Sequence, residues 1–148
     1  VEWRVRKFSQ LTTTQLYTIL KLRMDIFVVE QACAYPELDG YDADSIHLWL
    51  EAGGEVITYS RLVPPNSKYK QASIGRVLVH PEHRGHGYAR LVMEKSIAWI
   101  KEEWGVSEIF LQGQEHLRSF YESCGFEAIS ETYLDDDIPH RDMLMTLN

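Results

Sequence analysis

Cysteine is almost missing: Cys33 and Cys124 are the only two in 148 residues. They form neither a Cys-x-x-Cys pair nor a zinc-ligand pattern, so two free thiols and no metal site are expected. Long apolar runs are missing too. No uninterrupted stretch approaches the ~18 residues that a spanning helix needs, and Val1–Arg6 holds no apolar signal core. The expectation is a cytoplasmic protein without a membrane segment. Positive charge is scarce, with 15 Lys and Arg against 22 Asp and Glu, a net charge of −7. Nucleic-acid binding needs a basic face. The one basic cluster, Arg4-Val5-Arg6-Lys7, reads instead as the solvent side of an edge strand. Acid gathers in Glu37–Asp44 and Asp135–Asp137. It reads as a solubilising surface, with attraction of a cationic substrate as the sharper alternative.

What is present is enough apolar residue, 45%, for one core, and the length fits a single domain over residues 1–148. Trp3 and Val5 among alternating charges read as a strand. Thr12 and Gln15 form a capping box for a helix with Leu16, Ile19, Leu20, Arg23 and Phe27 on one face. That helix ends at Val28-Val29, and an irregular loop runs from Glu30 to Ser45. His47–Ala52 and Glu55–Leu62 pair as a hairpin over Gly53-Gly54. Ala72–Val79 is the next strand. Tyr88–Trp104 carries Ala89, Val92, Met93, Ser96, Ile97, Ile100 and Trp104 on one stripe, with Gly105 at its C′ position. Ile109–Leu111 is a short buried strand, and His116–Cys124 a helix stopped by Gly125. Phe126–Leu134 and Arg141–Leu147 close the chain as an antiparallel pair. This order gives an α+β fold, a mixed central sheet of about seven strands flanked by helices.

The segment richest in chemistry is Arg84-Gly85-His86-Gly87-Tyr88-Ala89. It leads from a strand into a helix, where orphan backbone N–H groups and the positive dipole end favour an anion, a phosphate or pyrophosphate. A Gly-x-Gly alone is a weak signal. The dinucleotide fingerprint needs a third glycine and a parallel βαβ unit, but here a hairpin precedes. A Walker loop needs Gly-Lys-Ser/Thr, which is absent.

The run Arg76-Val77-Leu78-Val79-His80-Pro81-Glu82-His83-Arg84-Gly85-His86-Gly87-Tyr88-Ala89 resembles the core motif of the GNAT N-acetyltransferases. Their signature, Arg/Gln-x-x-Gly-x-Gly/Ala, falls on Arg84, Gly87 and Ala89. A second motif of that family is matched by Phe120-Tyr121-Glu122-Ser123-Cys124-Gly125-Phe126. Within the family, Arg23–Gln31, Tyr35, Asp39, Asp42, Ile74-Gly75-Arg76-Val77 and Ile138-Pro139-His140 resemble the ElaA-like group, a bacterial set. The resemblance implies acetyl-CoA as acyl donor and no metal. It also implies two parallel strands, Ile74–Val79 and Ile109–Gln112, splayed apart at the cofactor cleft. It further implies that the amine of a small molecule or peptide attacks the thioester directly in a ternary complex. A homodimer is a further family expectation, which leaves Trp49, Trp99 and Trp104 as core or interface.

Each part of the cofactor then has candidate partners. Gly85, His86, Gly87, Tyr88 and Ala89, with Arg84, face the pyrophosphate. One helix N-terminus supplies only ~0.3–2 kcal/mol, so several directed hydrogen bonds are required. Pantetheine amides pair with the edge at Val77, Leu78 and Val79 as an added strand would. Many family members bind the pantetheine with an Asn; this chain reads Gly113-Gln114-Glu115-His116, leaving Gln114 or His116 to substitute. Tyr121 is the proton donor to the departing thiolate, and Phe120 is read as core. An amine with pKa ~10.4 costs roughly 4 kcal/mol to deprotonate at neutral pH, so a base is expected. Glu30 is first, then His140 and His47. Arg61 and Arg76 grip either a substrate carboxylate or the acidic loop at Asp39 and Asp42. Two other readings stay open. One is a non-catalytic acyl-CoA sensor. The other is transfer of longer acyl groups, because Arg23–Gln31 is distantly similar to acyl-homoserine-lactone synthases.

Overall fold

Strand β1 (Glu2–Lys7) lies at one edge of the sheet in the computed structural model, which describes residues 1–148. Its Arg4 bridges Glu2 and Glu51. Helix α1 (Thr13–Met24) begins with the expected capping box. The Thr12 hydroxyl accepts from the Gln15 N–H, and the Gln15 side chain accepts from the Thr12 N–H. Two of the donors that a helix start leaves unmatched are thereby satisfied. Beyond Met24 the coil widens into a π-helical stretch, Asp25–Glu30, a rare form that stays short. The apolar face read through Phe27 therefore continues on a wider turn, with Ile26 buried.

Strands β2 (Ile46–Ala52) and β3 (Glu55–Val63) form the hairpin, with Gly53 and Gly54 both at positive φ as a two-residue hairpin turn of the primed type requires. β4 (Ala72–Val79) runs antiparallel to β3. Helix α2 (Tyr88–Trp104) leads to β5 (Glu108–Gln114), and α3 (Arg118–Ser123) follows. The chain closes with β6 (Glu127–Ala128), β7 (Tyr133–Asp135) and β8 (Ile138–Thr146). The sheet order is β1-β2-β3-β4-β5-β8-β6, with β7 also on β8; only β4 and β5 pair in parallel.

The sheet has eight strands where about seven were expected. The strand read over Phe126–Leu134 is interrupted, and β6 and β7 each pair with β8. β8 starts at Ile138 because a two-residue turn, Asp136-Asp137, reverses the chain with both φ positive. The helix read over His116–Cys124 begins as a 3₁₀ turn at Glu115–Leu117. Arg141 of β8 holds the Glu115 carboxylate at 2.7 Å, which keeps this turn against the sheet.

Helices pack on both faces. Val92, Met93 and Ile100 of α2 bury against Leu48, Leu62 and Ile109 on one face, joined by Tyr121 and Phe126. Ser96 fits this stripe by bonding the Val92 carbonyl and the Ser60 hydroxyl. Ala89, Ile97 and Trp104 are half-buried. On the other face Ile19 and Ile26 meet Trp49, Tyr59 and Leu78. Trp49 is core, whereas Trp99 and Trp104 pack edge to face at 5.1 Å. No helix is long and apolar enough to cross a membrane.

One irregularity shapes the cleft. Tyr59 pairs with Leu78 but Arg61 with Gly75, so Ser60 faces two residues, Arg76 and Val77. Arg76 is in the left-handed region, φ 52°. Such a bulge bends its strand. Pairing between β4 and β5 covers only Ala72 with Ile109 and Ser73 with Phe110. The splay expected from the resemblance is present.

Candidate active site

The parting of β4 and β5 opens a cleft of about 930 Å³. Its floor follows β4 from Ile74 to Val79, and its far end is the glycine loop. There Gly85 and Gly87 take φ of 84° and 80°, a region that glycine enters without a steric cost. Nothing lies within 4 Å of a methyl placed on either, so the loop backbone is open. Gly87 begins α2 without a side-chain cap, and the first turn contains no acid. The N–H groups of that turn therefore keep their capacity for an external anion. Arg84, Gly85, Gly87, Tyr88 and Ala89 line the cleft. His86 does not; its ring turns aside toward the edge of Tyr88.

Val77, Leu78 and Val79 line the next section, on the side of β4 that β5 has left unpaired. A bare strand edge offers peptide-like donors and acceptors to an extended amide ligand. Gln114, the last residue of β5, and His116, in the turn that follows, also line the cleft. The Gln114 amide donates to the Gln31 side chain at 3.2 Å, linking β5 to the π-helical end of α1.

Tyr121 reaches the cleft from α3. Its ring lies flush against β5 at Gly113, where a methyl would stand 3.0 Å from the Tyr121 Cδ2 and Cε2. The hydroxyl has no protein partner and is not sealed from the cleft. Burial pushes the phenol up to about 12, so it keeps its proton across the neutral range. Phe120 is half-buried: it packs on the core and also lines the cleft.

The three candidate bases separate clearly. Glu30 lines the cleft but is ion-paired to Arg84 at 2.7 Å. The hydrogen bond from that guanidinium lowers the Glu30 pKa, which makes it a weaker base. His47 lies outside the cleft and is buried. Its Nε2–H donates to the Asp42 carbonyl at 3.0 Å, so Nδ1 accepts from the Tyr59 hydroxyl at 2.7 Å. Burial depresses its pKa, and both nitrogens are committed to structure. His140 lines the cleft. Its Nδ1 stands 2.7 Å from the Ile138 carbonyl, an acceptor only, so Nδ1 carries the proton. In the neutral ring Nε2 keeps its lone pair. Tyr133 stacks on this imidazole and donates to Asp142.

The acidic loop is internal counter-charge, which corrects the reading of Glu37–Asp44 as a solubilising surface. Buried Glu37 accepts from Arg23 at 2.7 Å and Arg76 at 2.8 Å. Asp39 accepts from Arg61 and Lys68, and Asp42 from Arg23 and Arg61. Burial alone would raise the Asp39 carboxyl, but hydrogen bonds from Arg61 and Lys68 hold it well below the usual carboxylate range. Arg61 gives both terminal nitrogens to this network, while its buried Nε has no partner. Arg76 belongs to it and also lines the cleft.

Several lining residues were not among the expected site residues. Tyr35 reaches the cleft because its hydroxyl donates to Glu37. Cys33 does so beside Asp136, whose carbonyl lies 3.5 Å from its sulfur. This contact closes the loop after α1 against the β7–β8 turn. Asp135 and Asp136 form part of that wall. The Asp136-Asp137 pair was the one available clue, since Asp tolerates the left-handed region.

The acetyltransferase (GNAT) family model matches residues 15–126. A UPF0039 protein of Schizosaccharomyces pombe is 40% identical over 149 residues, covering 99% of this chain and 98% of its own. The crystal structure of an acyl-CoA N-acyltransferase from Pseudomonas aeruginosa superposes with a TM-score of 0.92. It is 36% identical, over 99% of this chain and 100% of that one. Escherichia coli ElaA gives a TM-score of 0.90 at 35% identity, over 98% and 99% of the two chains. The yeast relative extends the similarity beyond bacteria.

Proposed function

This chain belongs to the acetyltransferase (GNAT) family, and from that premise we propose that it transfers the acetyl group of acetyl-CoA to an amine. The observation that carries the proposal is continuity. The open first turn of α2, the unpaired edge of β4 and the free hydroxyl of Tyr121 line one cleft in that order. An anion, a run of amides and a thiolate need those three things.

The first turn of α2 holds the pyrophosphate, and Arg84 exchanges Glu30 for it. Val77, Leu78 and Val79 hold the pantetheine through the backbone. Bound acetyl-CoA supplies an acyl carbon and a thiolate leaving group. Tyr121 keeps its proton until the C–S bond breaks, gives it to the departing sulfur, and regains one from the nitrogen that has joined the acyl carbon. His140, with its proton fixed on Nδ1, takes the ammonium proton of the acceptor at Nε2 and exposes the nitrogen lone pair. Of the three bases considered, it alone combines a place in the cleft with a free nitrogen. His86 and His47 take no part.

Titration calorimetry with acetyl-CoA, followed by thiol release over an amine panel, tests the reading. Micromolar binding and release of free thiol that requires an amine are expected. Absence of binding at millimolar ligand would sink the proposal, and binding without product would favour an acyl-CoA sensor. Because the Pseudomonas relative is described by acyl rather than acetyl transfer, longer acyl thioesters belong in the same panel.

A further inference from the structure

Arg76 is the only member of the buried ion network that lines the cleft. Its Nε donates to Glu37, and its Nη2 donates to the Glu37 carbonyl and to Asp39. Nη1 bonds no protein atom and is not sealed away. The charges around it do not balance. Arg23, Arg61, Lys68 and Arg76 are four cations, against three carboxylates, Glu37, Asp39 and Asp42. An unmatched charge in a largely buried cluster is costly unless a counter-ion arrives. The Arg23 nitrogens are all engaged inside the protein. Lys68 and Arg61 point to Asp39. The donor of this cluster left free at the cleft is therefore Arg76 Nη1.

That guanidinium is also held in place. The Arg76 backbone sits at φ 52° in the bulge, a conformation that persists where surrounding contacts over-determine it. Its Cζ lies 5.8 Å from the centre of the Tyr35 ring. Opposite stands a wall of the other character. Gln112 and Gln114 of β5 line the cleft, and they pair with Asp142 and His140 of β8. Asp135 and Asp136 continue the wall above. β5 lies between β4 and β8, which are two strand spacings apart, about 10 Å before splay, a span that the two charged ends of a small zwitterion and their hydrogen bonds can bridge.

We propose that the acceptor is a free amino acid or a similarly small amino-carboxylate. Arg76 Nη1 takes its carboxylate, and its amine lies toward His140 and Asp135. This assignment rests on the acetyltransferase reading above. It differs from what the acidic wall alone would choose, a polyamine without any carboxylate.

The test uses matched acceptors on the unmodified protein at saturating acetyl-CoA: leucine against isopentylamine, phenylalanine against phenethylamine, and lysine against cadaverine. The carboxylated member of each pair should have a kcat/KM about tenfold higher or more, the scale of one charge-assisted hydrogen bond. Arg76→Gln should erase that preference while leaving acetyl-CoA binding within about twofold. This variant also strips a partner from buried Glu37, so the matched pairs alone decide the matter if it fails to fold. Equal or faster acetylation of the decarboxylated amines overturns the inference and leaves acetyl transfer standing. Acetyl-CoA binding with no amine acetylated overturns both.

Discussion

The chemistry proposed for a tyrosine and a histidine, and denied to a glutamate, turns in each case on a neighbour. Tyr121 owes its competence to Gly113 and to the lack of any hydroxyl partner. Tyr121→Phe keeps the ring and removes the proton, so kcat should fall roughly 10²-fold or more, with the acetyl-CoA Kd changed less than twofold by calorimetry. An equal kcat would remove the residue from the chemistry. His140 and His47 show why residue type alone does not rank the proposed bases. Both are histidines near strand ends, yet one has two nitrogens occupied and the other keeps one free. Which carbonyl an imidazole meets is decided by register between strands far apart in the chain. Glu30, first among the expected bases, could be placed at the cleft from the sequence, but its partner Arg84 is 54 residues away.

At the scale of elements, periodic and capped segments were legible. The Thr12–Gln15 box, the Gly53-Gly54 hairpin and the α2 stripe are each written in local spacing, and each formed as read. The interrupted β6–β7 region was not legible, because its shape depends on β8 and on the turn at Asp136-Asp137 rather than on its own pattern. The splay of β4 from β5 was expected only through resemblance, since a bulge has no side-chain signature. β5 itself carries a precise constraint. A methyl at Gly113 would meet Tyr121 at 3.0 Å and the Leu111 side chain at 3.1 Å. Gly113→Ala should therefore push the Tyr121 ring toward the cleft. The expected result is a fold that still melts cooperatively, a kcat down roughly tenfold, a part of the 10²–10⁴ that one proton-transfer group contributes, and altered tyrosine fluorescence.

For the molecule as a whole, the decisive feature is where the acid goes: of the two readings of Arg61 and Arg76, the grip on the acidic loop is the one observed. Composition gave a net charge of −7, and an acidic loop reads naturally as solvent-facing. The loop instead folds inward because Arg23, Arg61 and Arg76, on three separate elements, converge beneath it. Convergence of that kind is tertiary information. It sets the acid limit of the fold. Asp39 and Asp42 are desolvated by burial, yet arginine and lysine partners hold both below their ordinary values. A carboxylate with a folded pKa below its unfolded one contributes stability that is complete above the unfolded value, near 3.9, and is lost as pH falls through and below it. Thermal melts should show Tm nearly level from pH 7 to about 5 and dropping steeply below about 4. A Tm unchanged down to pH 3 would contradict the network.

The same network also sets an order in time. Glu37 meets Arg76 across 39 residues and Asp39 meets Arg61 across 22. A chain growing from its N-terminus displays these acids when Arg23 alone of their partners has been made. Full anchoring of the loop thus waits until β3 and β4 bring Arg61 and Arg76 to it, which places its docking late in folding. Glu37→Gln should cost about 3–5 kcal/mol, as loss of one partner from a buried pair does. Stopped-flow kinetics should find nearly all of that loss in faster unfolding, with the refolding rate scarcely changed. The wall of the acceptor pocket would then be the last part of the protein to assemble and the first to come apart.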